Sequence, residues 1–176
     1  MAVLSTRYPA VAFALALTTA ALSGCAPTPE PSPTPTPAFA SEEEAFAAAE
    51  EVYRAYIDAF NEVDLRSPET FEIALEYTAD DYESSERKSL SEMHAEGYLR
   101  GGEMTVVWFE PTAFVNGTTV EARTCDDVSA TTFTDSEGNS LVPSDRPDRY
   151  ALDLVLEMHG DELKLVSSDQ VEDESC

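Results

Sequence analysis

Ala113-Phe114-Val115-Asn116-Gly117-Thr118-Thr119-Val120 reads as a β-hairpin. Asn-Gly between β-forming residues is the strongest short-range signal for two antiparallel strands, because both central residues of the tight turn take φ > 0. The remaining strands can be placed outward from it. On the N-terminal side, Met104 to Phe109 and Ala113 to Val115 supply the first arm. Pro111 between them marks a bulge or an edge, since proline has no N–H to give to a ladder. On the C-terminal side, Thr118 to Thr134 reads as one long return strand, rich in β-branched residues. Ser136-Glu137-Gly138-Asn139 turns the chain again, and Arg149 to Met158 with Glu162 to Ser167 form a last hairpin around His159-Gly160-Asp161.

Upstream of Gly101-Gly102 the pattern becomes helical. Ser41-Glu42-Glu43-Glu44 is a capping box, with Ser41 as N-cap and Glu44 three residues on. Ala45, Ala49, Val52, Tyr53, Tyr56 and Phe60 then recur at helical spacing through about Val63. Ser67-Pro68 opens a second helix, with proline at its first position and Phe71, Ala74, Leu75 and Tyr77 on its inner side. A third runs from near Asp81 to Glu96, carries Tyr82, Leu90 and Met93, and stops at Gly97. The expected architecture is α+β: three N-terminal helices packed on a curved four-stranded antiparallel sheet.

Outside this domain the chain announces where it goes. Arg7, an apolar run from Pro9, and Leu22-Ser23-Gly24-Cys25 have the order of a secretory signal. The apolar run is short of the about 20 residues that a spanning helix needs. A cysteine directly after the small residues makes it a lipobox, with cleavage before Cys25 and acylation of that residue. The expected division is residues 1–24 signal peptide, 25–40 lipidated cysteine and Pro/Thr-rich tether, and 41–176 one domain of ordinary size. The tether alternates proline with small polar residues, a polyproline II spacer that would hold the domain roughly 30–40 Å from the bilayer. The implied localisation is the cell membrane, lipid-anchored, on its extracytoplasmic face.

Charge excludes one class of partner. With 35 acidic against 10 basic residues and a net charge of −25, the chain repels phosphate backbones, so no nucleic-acid partner is expected. The acids read as a solvated surface. They lack the ordered spacing with a glycine turn of a calcium loop, and no metal or cofactor is expected. Of three cysteines, Cys25 takes the lipid, leaving Cys125 and Cys176. Outside the cytoplasm a lone pair in a small domain favours a disulfide over a metal site, which has no histidine beside it, or a nucleophile, which would sit at the chain's last residue.

Thr124-Cys125-Asp126-Asp127-Val128-Ser129, the turn at Gly138, Asp145-Arg146-Pro147-Asp148-Arg149 and the terminal Cys176 together resemble the nuclear transport factor 2-like (SnoaL-like) superfamily. More narrowly they are similar to actinobacterial lipoproteins that carry such a domain behind a lipobox. The resemblance implies a cone fold over residues 41–176, with the strand cysteine paired to the terminal one. One departure is leucine in the last strand, Gly160 to Leu165, where related chains often carry tryptophan. The superfamily hosts enzymes, carriers and interaction domains alike.

A cone can enclose an apolar pocket between its first helix and the sheet. The residues expected to line one are Tyr53, Tyr56, Phe60, Tyr82 and His94, although aromatic residues at helical spacing are more often core. Asp81, Asp126 and Asp127 are further candidates for acid–base work. Adjacent strand residues face opposite sides, so Asp126 and Asp127 form no dyad, and turn or bulge hydrogen bonding beside the bridge is their expected role. His94, near a helix C-terminus, is expected to face solvent, and His159 to stand at a hairpin tip without a partner. No nucleophile motif, phosphate loop or metalloprotease motif is present. The expected function is non-catalytic binding or interaction at the envelope. The alternatives are a carrier of a small apolar ligand and a cone-pocket isomerase, dehydratase or cyclase. Partners in view are the membrane through the anchor, an envelope protein, a small apolar ligand, and a second copy of the chain in a homodimer.

Overall fold

The computed structural model describes residues 38–173, 175 and 176. The signal peptide, Cys25 and all but the last residues of the tether lie outside them. Helix α1 spans Glu42–Asn61. Its capping box forms in a shifted version: Ser41 Oγ accepts from the Glu44 N–H at 3.2 Å, and the Glu44 carboxylate accepts from the Ala40 N–H at 2.8 Å. The second helix is shorter than its pattern suggests, a 3₁₀ turn at Pro68–Thr70 running into α2, Phe71–Leu75. Proline at the start presets the turn. Thr78 then pairs alongside Leu165, so the chain leaves the helix for a strand-like segment. Helix α3 spans Asp80–Ala95.

Six strands follow: β1 Leu99–Gly101, β2 Thr105–Val115, β3 Thr119–Asp127, β4 Thr132–Thr134, β5 Arg149–His159 and β6 Glu162–Val171. The main sheet is antiparallel in the order β2-β3-β5-β6. The Asn116-Gly117 hairpin forms as expected, with φ of 54° and 77° at its two central residues. Pro111 sits on edge strand β2 beside a register shift between Pro111 and Ala113, so both parts of its expected role hold.

The long return strand does not stay whole. It breaks after Asp127, whose carboxylate accepts from both the Ser129 N–H and its hydroxyl and curls the chain. The remainder, β4, pairs instead with β1 in a separate two-stranded ribbon. Gly102 permits this. Its φ is +72°, and a Cβ there would lie 1.9 Å from the Ala130 carbonyl oxygen, so the two loops meet backbone to backbone.

The helices cover one face of the main sheet. Ala45, Ala49, Tyr53 and Ile57 of α1, Phe71 and Leu75 of α2 and Leu90 of α3 bury against Val120, Leu154, Leu156, Leu163 and Leu165. The leucines of the last strand thus fill the core where the resemblance expects an aromatic. On the opposite face of β3, Cys125 is bonded to Cys176, with Cα atoms 5.4 Å apart and a sequence separation of 51. Arg123, two residues back on the same face, holds the same tail through Asp173 and also pairs with Asp153. Among the described residues no helix is long and apolar enough to cross a membrane.

Candidate functional site

Two places in the domain concentrate aromatic and polar side chains. The first is the interior under α1. Tyr53 points inward on the same stripe as Ala49 and Tyr56, and its hydroxyl donates to Asp126 Oδ2 at 2.5 Å. Thr124 shares a face of β3 with Asp126, being two residues away, and its hydroxyl lies 2.9 Å from Oδ1. Tyr53, Thr124 and Asp126 are each at most 1% exposed. Burial pushes the Asp126 carboxyl above its ordinary value, against the opposing hydrogen bonds of Tyr53 and Thr124 and the charge of Arg54. The Tyr53 hydroxyl is driven well up, by burial first and then by the Asp126 carboxylate. It stays protonated and donates.

Asp126 does lie at a bulge, paired with Val106 beside a register shift between β2 and β3, but its carboxylate bonds Tyr53 and Thr124 and no turn. Asp127 is the turn residue. It lies on the other side of β3, bonds Ser129 and pairs with Arg149, and its carboxyl falls to about 2, chiefly through the Ser129 hydroxyl. The signal for Asp126 was present in the alternation: if Val120 and Ala122 face inward, so do Thr124 and Asp126.

The other expected lining residues surround this pair. Tyr56 is 5% exposed, with its ring centroid 6.1 Å from Tyr53 and 5.9 Å from Phe60. Its hydroxyl lies 3.2 Å from that of half-buried Tyr82. Tyr82 is pushed up to about 12, by burial and then by Glu86, and burial also raises the Glu86 carboxyl. Phe60 lies under the Arg100 guanidinium at 5.1 Å. The structure thus joins Tyr53, Tyr56, Phe60 and Tyr82 into one cluster. His94 is placed apart from it, exposed near the end of α3, with Nδ1 2.6 Å from the Leu65 carbonyl oxygen. Asp81 is exposed on the first turn of α3.

The second place was not expected. A groove of about 440 Å³ opens beside the β1–β4 ribbon, walled by Met93 of α3, Tyr98, Phe133 of β4, Leu141, Pro143 and Tyr150. Leu141 is 40% exposed at its rim. The cation in the wall, Arg146, already has partners: its guanidinium donates to Thr131 Oγ1 at 2.9 Å and to the Val128 and Thr131 carbonyls at 2.7 and 3.1 Å. That clamp fixes the loop between β3 and β4 and leaves an apolar concavity of the size that small-molecule sites have. The groove exists because the predicted single strand splits, which the local sequence shows only through the Asp127-Val128-Ser129 turn.

No family model and no curated protein matches the sequence. Solved structures do resemble it. A provisionally named aromatic ring hydroxylase from Novosphingobium aromaticivorans superposes with a TM-score of 0.52 at 11% identity, covering 76% of this chain and 93% of that one. The intermembrane-space region of the chloroplast protein ARC6 superposes with a TM-score of 0.51 at 14% identity, covering 73% and 97%. A provisionally named polyketide cyclase from Xanthomonas campestris is similar over 69% of this chain and 91% of that one, at 14% identity and a TM-score of 0.37. For the first two, at 11% and 14% identity, the likeness is one of fold. The described residues form an α+β architecture, with three helices and an antiparallel sheet. One neighbour is named for a reaction and another for its place in an organelle, so the fold does not choose the function.

Proposed function

We propose that this chain is an extracytoplasmic lipoprotein, anchored through acylated Cys25, whose nuclear transport factor 2-like domain binds a small apolar ligand without transforming it. The observation that carries the binding is the groove: about 440 Å³, apolar walls, an exposed leucine at its rim, and a guanidinium already committed to the protein. A site with shape and apolar surface, whose lining includes no carboxylate, imidazole or thiol, is suited to holding a ligand. Support for the anchor comes from the lipobox and the proline-rich tether. Two acyl chains would give stable attachment where one is marginal.

The test is extraction of small molecules from the full-length protein purified from its host, compared with Leu141→Asp. An apolar compound enriched on the wild type and missing from the variant is the expected result, and identical extracts would refute ligand binding at the groove. Cys25→Ser should move the protein out of the membrane fraction, and retention there would refute the anchor. A second reading, an acid–base enzyme of the cyclase, isomerase or dehydratase type, is favoured by one observation, a carboxylate set among tyrosines inside the cone. It would require Asp126 to reach a substrate. Asp126→Asn separates the two, since it leaves groove binding intact and would abolish proton transfer.

A further inference from the structure

We propose that Asp80, Glu157 and His159 bind a divalent metal ion of the zinc class. Glu157 and His159 are two residues apart on β5 and share one face of the strand. Asp80 is the first residue of α3. It is delivered to them by backbone: the Leu165 N–H donates to the Tyr77 carbonyl at 2.9 Å and the Ala79 N–H to the Leu165 carbonyl at 3.0 Å, tying the approach to α3 onto β6, the neighbour of β5. One ligand atom from each of the three residues lies within 4.8 Å of the others. His159, expected to have no partner, has Nε2 3.4 Å from Asp80 Oδ2. Donors held 2.0–2.1 Å from a tetrahedral ion stand about 3.4 Å apart, so this pair already has the span of two ligands.

The donor set selects the ion. An imidazole nitrogen with two carboxylate oxygens suits zinc, whereas calcium and magnesium take oxygen ligands throughout. Two carboxylates balance a dication, and three protein ligands leave a coordination position for water. The cation most able to compete is Lys164, directly across from Glu157. Its ammonium is engaged by Glu162 at 2.7 Å and by the Glu76 carbonyl at 2.5 Å. Among the described residues, this trio brings an imidazole nitrogen together with two carboxylates. It stands at the far end of β5 from Tyr150 and the groove, about 30 Å away at the rise of an extended strand, so it is independent of the ligand reading above.

The experiment uses full-length protein, stripped with chelator and kept non-reducing so that Cys125 and Cys176 supply no thiolate. Calorimetric titration with Zn²⁺ should show one ion per chain. His159→Ala and Glu157→Gln should each weaken it at least about tenfold, with Glu51→Gln, an exposed acid elsewhere, unchanged. Ca²⁺ binding should not respond to His159→Ala. In the wild type, the ring nitrogens of His159 should shift at one equivalent of Zn²⁺ while those of His94 do not, a readout that needs no variant to fold. Equal Zn²⁺ affinity in His159→Ala, many weak sites without a first tight one, or an unmoved His159 resonance would overturn the proposal.

Discussion

The interior under α1 and the groove beside β4 are both walled with aromatic residues, yet they are finished in opposite ways. Inside, Tyr53, Tyr56 and Tyr82 close over Asp126, and its two oxygens are met by Tyr53 and Thr124. In the groove, Tyr98, Phe133 and Tyr150 face open space, and the only guanidinium in the wall is turned onto the protein's own backbone. Aromatic residues alone therefore do not mark a site. What distinguishes the two places is whether the polar groups beside them are already satisfied. A buried carboxylate that lost its donors would cost the fold heavily, so the interior is held shut by its own hydrogen bonds. The groove carries no such obligation.

The contrast can be attacked at several points. Both regions hang on β3, and the largest effect should come from the bridge that pins it: Cys125→Ser is expected to lose about 4 kcal/mol for a loop of this length. Thermal melts with and without reductant read it, and an unchanged Tm would show that the tail holds without the disulfide. Gly102→Ala should come next, at about 3 kcal/mol, from left-handed backbone and contact with the Ala130 carbonyl. It should deform the groove while leaving the tyrosine cluster in place, which amide exchange can resolve strand by strand. Loss of protection throughout both regions would mean that they are one cooperative unit.

Tyr53→Phe removes one donor from a buried carboxylate and should cost about 1.5–3 kcal/mol; a neutral effect would mean that water replaces the hydroxyl and that the interior is open after all. A smaller effect is the pH response of Asp126. Burial raises its folded-state value, so proton binding stabilises the fold. That contribution is complete below the ordinary aspartate range and is lost as pH rises through the raised value. Relative to Asp126→Asn, the wild type should therefore gain stability as pH falls from neutral toward about 4. A difference that stays flat would place the carboxylate in water. Smallest of all for stability is Leu141→Ser at the groove rim, expected to change it by less than about 0.5 kcal/mol while lowering retention of an apolar ligand.

Much of this was legible in the chain. The Asn116-Gly117 turn, Pro111 at an edge, the capping box at Ser41 and the helical stripe from Ala45 to Phe60 each specify local geometry through one or two residues, and each appears where its chemistry places it. Cys125 and Cys176, the pair expected to bridge, are bonded. Three things it left open. The break in the return strand depended on which backbone β4 could find, and Gly102 with β1 supplied it. The hydrogen bond that satisfies Asp126 depended on a tyrosine 73 residues away. The meeting of Asp80 with His159 depended on a strand-like segment after α2. Turns, caps and periodicity are properties of neighbouring residues and can be read from them. Whether a strand continues, whether a carboxylate is satisfied and which ligands converge are decided by groups far apart in the chain, and only the packed fold brings those within reach of one another.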